Sequence, residues 1–283
     1  SMTMEALNAV TDAFDPRVHA VRPHQGQMDT AANLLRILSG SGLTTRQGEL
    51  RVQDAYALRC VPQIHGASKD ALKFVKDRIE IEINSVTDNP IIFPDDDAAI
   101  SGGNFHGQPV ALAFDFLGIA VAEIANSSER RIERLVNPQL SGLPAFLTPN
   151  GGLHSGFMIA QYSAAALVSE NKVLAHPASV DSIPSSANQE DHVSMGTIAA
   201  RKARDILTNT IHVLAVELMA AAQGIDFRKE KLHPGAKLGK GTRLAYEQVR
   251  SRVPFIENDT VMYPYINEVK ELVKAGVISP DWP

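Results

Sequence analysis

Apolar side chains recur along this chain at intervals of three and four residues, the spacing that places them on one side of an α-helix. Leu72, Val75, Ile79 and Ile83 follow this spacing, and the predicted helix over residues 63–86 ends at a Thr-Asp-Asn-Pro turn. The same pattern predicts helices at about 3–38 with breaks near Pro16 and Pro23, and at about 109–136, 155–175, 191–224, 240–252 and 262–275. The sequence therefore predicts an all-α protein built as a bundle of long helices.

Two of these predicted helices are unusually long or apolar. The helix over 191–224 carries one continuous apolar stripe, and Gly224 is expected to end it as a C-cap. Over residues 107–125 apolar side chains occur on nearly every side, interrupted by Asp115 and Glu123, which predicts a buried bundle helix rather than a membrane span. Burial on several sides also favours association of several copies through their helices.

The chain carries no internal repeat, no low-complexity tract and no evident linker. We therefore expect one helical-bundle core over residues 1–230 and a smaller C-terminal helical region over residues 231–283.

Composition narrows the class of protein. Of 283 residues, 44% are hydrophobic, 21% are charged and only 6% are aromatic, which fits closely packed helices better than a sandwich of strands. A formal net charge of -5, with acidic and basic residues interspersed, argues against nucleic acid or an anionic membrane as a partner. Cys60 is the single cysteine and no zinc-type spacing of Cys and His occurs, so we expect no metal site and a cytoplasmic protein.

The first candidate site lies in a long stretch of poor periodicity, residues 44–62. Gln53, Tyr56 and Arg59 recur there every third residue, so a helical turn would project an amide, a phenol and a guanidinium to one side. Arginine is the usual residue for holding a carboxylate through paired hydrogen bonds. An ordinary salt bridge for Arg59 and half-buried packing for Tyr56 remain the alternative.

A second non-helical segment contains two glycines followed by Asn104, Phe105 and His106. The glycines permit unusual backbone angles and close approach of a ligand or another chain. Phe105 could pack against an aromatic substrate and His106 could titrate near neutral pH. A glycine turn with a capping Asn104 and a buried Phe105 is the competing interpretation.

The third segment, residues 185–195, places Gln189, Glu190, Asp191 and His192 together at the predicted start of a helix. Acidic side chains in a first turn are favoured by the helix dipole without any catalytic role. Adjacent helix residues face different directions, so at most one of Glu190 and Asp191 would point into a shared site. The sequence leaves open which of the two it is.

Common catalytic and nucleotide-binding motifs do not occur: there is no glycine-rich phosphate loop, nucleophile elbow or dinucleotide fingerprint. Instead, six ordered segments resemble motifs of the aromatic amino acid ammonia-lyase family, and most closely its histidine-specific members. They are 22–24 (RPH), 52–60 (VQDAYALRC), 84–90 (NSVTDNP), 101–106 (SGGNFH), 128–131 (SERR) and 188–195 (NQEDHVSM). The resemblance extends from about Thr3 to Lys229.

This resemblance implies a mostly α-helical homotetramer whose active sites each combine several subunits. It also implies the non-oxidative conversion of histidine to urocanate and ammonia. By match to the family's motifs, Arg59 would bind the substrate carboxylate, Tyr56 would assist proton transfer and Gln53 would line the same pocket. Phe105 would contact the electrophile or the substrate ring, and Glu190 would act near the imidazole or amine as a binding or acid-base group.

The family's electrophile is a methylidene-imidazolone group formed from an Ala-Ser-Gly tripeptide, and this chain contains no such tripeptide. We therefore expect the C-terminal portion of a lyase, present as a deliberately shortened chain, a proteolytic product or one half of a split gene. On its own, the chain is expected to carry no prosthetic group and to be catalytically incompetent, although its parent is an enzyme.

Two other functions remain open at this point. A tyrosine or phenylalanine ammonia-lyase or aminomutase would share the scaffold and differ in the residues of the pocket. A non-catalytic helical assembly module would keep the oligomer-forming helices without the chemistry. The fumarase and aspartase group is set aside because its serine-containing signature loop is not evident here.

Overall fold

Long helices account for most of the residues that the structure describes. The structure is a computed structural model and describes residues 1–231 and 235–278. Its α-helices are α1 (Met2–Ala6), α2 (Pro16–Ala20), α3 (Gln25–Ile37), α4 (Tyr56–Arg59), α5 (Val61–Glu82), α6 (Gln108–Val136), α7 (Pro138–Ser141), α8 (Met158–Leu174), α9 (Gly196–Lys231), α10 (Lys240–Arg250) and α11 (Tyr263–Lys274). The all-α prediction is confirmed.

The only strands among the described residues, β1 (Ile91–Phe93) and β2 (Ala98–Ile100), form a short antiparallel hairpin between α5 and α6. Sequence analysis predicted only a non-helical segment here. The Ile-Ile-Phe run of β1 favours extended backbone, and Asp97 closes the hairpin in the left-handed region with a φ of 47°. A hairpin this short leaves the fold class unchanged.

The two longest helices, α6 and α9, lie side by side and parallel at the centre of the bundle. At their N-terminal ends a Cβ on Gly196 would lie 3.4 Å from the carbonyl oxygen of Gly107. Near the other end Ser128 of α6 donates to the carboxylate of Glu217 on α9 over 2.6 Å. The helices therefore stay in register along the length of α6, and their N-termini lie together.

The helix α5 runs antiparallel to α6. Close to the start of α5, the His65 ring is 3.3 Å from the hydroxyl of Ser127. Further along, the Phe74 ring makes an edge contact with Phe116, nearer the N-terminus of α6, with centroids 5.7 Å apart. The helices α5 and α8 both pack against the central pair of helices, α6 and α9.

A buried ion pair joins α6 to α9 inside this packing. Arg131 donates from Nε and Nη2 to the two carboxylate oxygens of Glu217 over 2.6 and 2.8 Å. Thr3 of α1 donates to the same carboxylate over 2.6 Å. Burial raises the pKa of Glu217, but the charge of Arg131 and the hydrogen bonds outweigh burial and lower that pKa to about 2.

Gly224 was predicted as a C-cap, and this prediction is wrong because α9 continues to Lys231. The glycine serves close packing instead. A Cβ there would lie 3.1 Å from the Cβ of Ala6, 3.2 Å from Leu143 and 3.3 Å from Leu135. Within the predicted helix at 3–38, the breaks expected near Pro16 and Pro23 are observed before α2 and before α3. A further break, which was not predicted, separates α1 from a 3-10 turn (Thr11–Phe14).

The helices α10 and α11 pack against α9. The buried side chain of Gln223 bonds both backbone groups of Ile256, donating to its carbonyl over 2.8 Å and accepting from its N–H over 3.1 Å. The division into a core over 1–230 and a region over 231–283 stays a prediction, and residues 232–234 and 279–283 of it lie outside the described residues.

By length and composition alone, α6 and residues 196–229 of α9 could cross a membrane. In this structure they are the central helices of the bundle. They carry the buried Asp115, Arg131 and the buried end of Glu217, each in an ion pair with a neighbouring helix. Packing within the protein accounts for part of their apolar character, because 44% of the apolar stretch of α6 and 56% of that of α9 are buried. The burial predicted for residues 107–125 is therefore only partial in one copy.

Candidate functional site

The first candidate segment forms the single helical turn α4, which presents Tyr56 and Arg59 on one side. The guanidinium carbon of Arg59 lies 4.8 Å from the centroid of the Tyr56 ring. Tyr56 is 69% exposed, so its phenol is open to a ligand or to another chain. Gln53 is exposed and precedes the turn. The spacing of three residues in the sequence thus predicted that Tyr56 and Arg59 lie on one side of a helical turn.

Arg59 keeps unused hydrogen-bonding capacity. Its Nε–H is buried, and no acceptor among the described residues lies within bonding distance of it. A buried donor without an acceptor is costly, and a carboxylate is the partner that suits a guanidinium best. The simple salt bridge considered for Arg59 is not seen within the described part of the chain.

Phe105 lies between β2 and α6 and is 59% exposed, so the buried packing considered for it does not occur. The glycine segment ahead of it is held by Asn89, whose Oδ1 accepts from the Gly102 N–H over 2.9 Å and from the Ser101 hydroxyl over 3.0 Å. Asn104 donates to the carbonyl of Val86 over 3.4 Å instead of capping α6.

Glu190 lies ahead of α9 and not within it, because α9 begins at Gly196. The predicted helix start at Asp191 is therefore wrong, and the argument from a first helical turn does not account for the two carboxylates. The Ser185 hydroxyl donates to Glu190 over 2.7 Å, and the two backbones bridge across the loop. Ser186, Ala187 and Asn188 form the tip in the left-handed region, with φ of 51°, 53° and 70°.

The second and third segments adjoin each other. The rings of His106 and His192 stack with centroids 5.6 Å apart, and Nε2 of His106 is 3.3 Å from the backbone oxygen of His192. These contacts bring Phe105 and Glu190 to the same end of the bundle. Because α6 and α9 both begin there, the positive ends of two helix dipoles face this region.

Tyr56 and Arg59 lie at the opposite end. The turn α4 packs on α6, and the charge of Arg134, in the last turn of α6, acts on Asp54 beside α4. Phe105 precedes the first turn of α6, and the 29 residues of α6 span about 40 Å at roughly 1.5 Å per residue. One copy of this chain therefore does not bring the two groups of candidate residues together.

A cavity of about 530 Å³ lies elsewhere, against Met2, Val61, His65, Arg131 and Glu217. None of the candidate residues Gln53, Tyr56, Arg59, Phe105 and Glu190 lines it. Its main charges are already paired, and burial, with the charge of Arg131, lowers the pKa of His65 to about 4. This cavity offers no free acid-base pair, so it is not the candidate site.

Comparisons with known proteins agree with the motif resemblance. The sequence model of the family described as aromatic amino acid lyase matches residues 1–251. The chain is 68% identical to histidine ammonia-lyase of Alkaliphilus oremlandii over 98% of this chain and 54% of that protein. It is 66% identical to histidine ammonia-lyase of Clostridium tetani over 98% of this chain and 53% of that protein.

Solved structures show the same fold. Histidine ammonia-lyase from Trypanosoma cruzi superposes with a TM-score of 0.90 at 47% identity, covering 100% of this chain and 53% of that one. Tyrosine aminomutase from Streptomyces globisporus gives a TM-score of 0.92 at 40% identity, covering 98% and 56%. The chain spans about half the length of the curated relatives it matches. By sequence and by fold, the chain belongs to the aromatic amino acid lyase family.

Proposed function

We propose that this chain is the C-terminal portion of an enzyme that converts L-histidine to urocanate and ammonia. In that reaction the Cα–N bond and one Cβ–H bond break, a Cα–Cβ double bond forms, and nothing is oxidised overall. The observation that carries the proposal is the Arg59 guanidinium, whose carbon lies 4.8 Å from the centre of the Tyr56 ring and whose Nε–H has no acceptor among the described residues. Identity of 66–68% to proteins named histidine ammonia-lyase supports histidine as the substrate.

At the α4 end, Arg59 binds the substrate carboxylate and fixes the orientation of the amino acid. Tyr56 lies next to that guanidinium, so its phenol is placed beside the α-carbon of a substrate held by Arg59. There it assists the movement of the proton between substrate and solvent. Gln53, exposed ahead of the turn, lines the same pocket.

At the other end of the bundle, Phe105 and Glu190 recognise the rest of the substrate. The exposed ring of Phe105 can pack against an imidazole. The Glu190 carboxylate, held by Ser185, can accept a hydrogen bond from an imidazole N–H or from the amine. Both residues lie at the end of the bundle where α6 and α9 begin.

In this family a methylidene-imidazolone group supplies the electrophile that makes the amine a better leaving group. It forms from Ala-Ser-Gly, which this chain lacks, so another segment of the full-length protein has to provide it. The residues here fit such a planar group, because the Phe105 ring and the Tyr56 phenol are both largely exposed. Without that segment, the residues of this chain only bind and orient the substrate.

Assembly of several copies, a tetramer by analogy with the family, would bring the two ends together. The separation of about 40 Å along α6 supports sites that combine residues of different copies. Apolar side chains of α6 that are exposed in one copy, among them Leu112, Phe116 and Ile119, are suited to such contacts. The single cysteine and the absence of zinc-type spacing support a cytoplasmic location.

To test the proposal, the full-length enzyme and this chain alone are each incubated with histidine. Formation of urocanate is followed by its ultraviolet absorbance. We expect product from the full-length enzyme and none from the chain alone. Tyrosine and phenylalanine are tested in parallel as alternative substrates. If ammonia is released faster from either of them than from histidine, that amino acid is the substrate and the proposal is wrong. Product from the chain alone would refute the requirement for the missing segment.

A further inference from the structure

Asp54 connects two parts of the chain: the segment that carries Tyr56 and Arg59, and the N-terminal residues. Asp54 is only 5% exposed, and its Oδ2 accepts a hydrogen bond from the backbone N–H of Val10 over 2.6 Å. The guanidinium of Arg51 lies 3.2 Å from its Oδ1. Arg51 in turn donates to the backbone oxygen of Leu7 over 2.7 Å. One carboxylate thus joins two distant parts of the chain.

Several positive charges surround this carboxylate. Burial raises the pKa of Asp54, whereas the Val10 N–H and the guanidinium groups of Arg51, Arg134 and Arg59 oppose that rise. The negative charge of Asp54 attracts each of these guanidinium groups, that of Arg59 included. Asp54 therefore influences where Arg59 lies as well as where the loop lies.

The turn that carries the candidate residues follows immediately. Only Ala55 separates Asp54 from α4, and the N–H groups of Leu58 and Arg59 both donate to the Ala55 carbonyl over 3.0 Å. Leu58 is buried in the core and fixes the other side of the turn. A shift at Asp54 is therefore transmitted through Ala55 to Tyr56 and Arg59 of α4.

We propose that Asp54 is a positioning residue that holds α4 so that Arg59 and Tyr56 meet the substrate carboxylate in a fixed geometry. This inference rests on the proposed function and adds a residue to it. Asp54 does not touch the substrate. It acts through the position and charge balance of Arg59.

Two variants of the full-length enzyme test the role of Asp54. Asp54→Asn keeps the volume and one hydrogen-bond acceptor but removes the charge, and Asp54→Ala removes both contacts. Asp12→Asn is the matched control. Asp12 ties the same loop to the same part of the chain at its other end, accepting from the Gln47 N–H over 2.8 Å, but it lies away from α4.

The deciding measurement is the affinity for two ligands: 3-(imidazol-4-yl)propanoate, which has a carboxylate, and imidazole, which has none. We expect Asp54→Asn to raise the Kd of the propanoate about tenfold, the loss that follows when a charge-assisted hydrogen bond is weakened, and to change the Kd of imidazole less than twofold. Asp12→Asn should change neither. Equal losses for both ligands, or no loss for either, would overturn the proposal.

Hydrogen–deuterium exchange of this chain gives a readout that does not depend on the substrate. Amides of residues 58–60, which bond back to residues 55 and 56, should exchange faster in Asp54→Asn and unchanged in Asp12→Asn. If the wild-type enzyme acts on tyrosine instead of histidine, 3-(4-hydroxyphenyl)propanoate and phenol replace the two ligands. The proposed function would then be wrong. The role of Asp54 would still be decided by how much more the variant weakens binding of the carboxylate ligand than binding of the ligand without a carboxylate.

Discussion

At the residue scale, the proposed recognition of the substrate carboxylate depends on the planar donors of Arg59. Arg59→Lys replaces a bidentate fork with a single point charge, so KM for histidine should rise about 10- to 100-fold while kcat changes less. Steady-state kinetics of the full-length enzyme measure both constants. Arg46→Lys is the control, because Arg46 lies in the same loop and its ion pair within the described part of the chain is with the half-buried Asp12. Equal KM values for Arg59→Lys and the wild type would remove Arg59 from the site.

Glu190 depends on a neighbouring hydroxyl for its orientation. Ser185→Ala removes the 2.7 Å hydrogen bond to the carboxylate, and we expect kcat/KM for histidine to fall about tenfold because the carboxylate becomes free to rotate. Ser186→Ala leaves that bond in place and should change kcat/KM little. If both variants behave alike, the loss belongs to the loop as a whole and not to this bond.

Among single residues, local spacing was informative and long-range contacts were not. The interval of three residues predicted that Tyr56 and Arg59 share one side of a turn. The importance of Asp54 could not be predicted, because its hydrogen-bond donor, Val10, lies 44 residues away. The loop that carries Glu190 and Asp191 could not be predicted either, because three of its residues adopt the left-handed region without a glycine among them.

At the element scale, helices with an apolar stripe were predicted close to their observed bounds. The helix predicted at 109–136 is observed as α6 (Gln108–Val136), and that at 262–275 as α11 (Tyr263–Lys274). The prediction of helix ends was wrong where a residue type is common in two different structural roles. Gly224 resembles a helix end but fills a close contact between helices, and that choice depends on Ala6, Leu143 and Leu135, which are distant in sequence.

The crossing of α3 and α5 provides a test at this scale. A Cβ on Gly66 would lie 2.4 Å from the backbone nitrogen of Gln27, so the two helices would have to separate. We expect Gly66→Ala to lower the free energy of unfolding by about 2–3 kcal/mol, despite the better helix propensity of alanine. Urea denaturation of the chain measures this change.

Gly224→Ala is the matched variant for Gly66→Ala. Its nearest neighbours are side-chain atoms at 3.1–3.3 Å, which can adjust, so it should cost less than Gly66→Ala. The reverse order would mean that the approach of α3 to α5 is not the tightest constraint among these glycines.

At the scale of the whole molecule, buried charge makes stability depend on pH. His65 is neutral in the folded chain because its pKa is lowered to about 4, whereas an unfolded histidine takes up a proton below about 6.5. The unfolded state therefore binds more protons between these values, and stability should fall by up to about 3 kcal/mol as pH decreases from 6.5 to 4. The free energy of unfolding, measured in urea at several pH values, tests this slope.

His65→Gln should reduce that loss, and His24→Gln, at an exposed position, should not. Glu217 adds to the loss only at the acidic end of this window and mainly below it, because an unfolded glutamate takes up a proton near pH 4.5 whereas folded Glu217 keeps its charge down to about pH 2. An unchanged pH slope in His65→Gln would show that His65 is not held neutral by burial.

In the proposed enzyme, residues at opposite ends of α6, on different copies, form one active site. Co-expression of two inactive full-length variants, Tyr56→Phe and Glu190→Ala, tests it directly. Mixed oligomers contain some sites that receive the intact residue from each copy, so we predict urocanate production well above that of either variant expressed alone. Mixed oligomers that remain as inactive as the two single variants would contradict the claim.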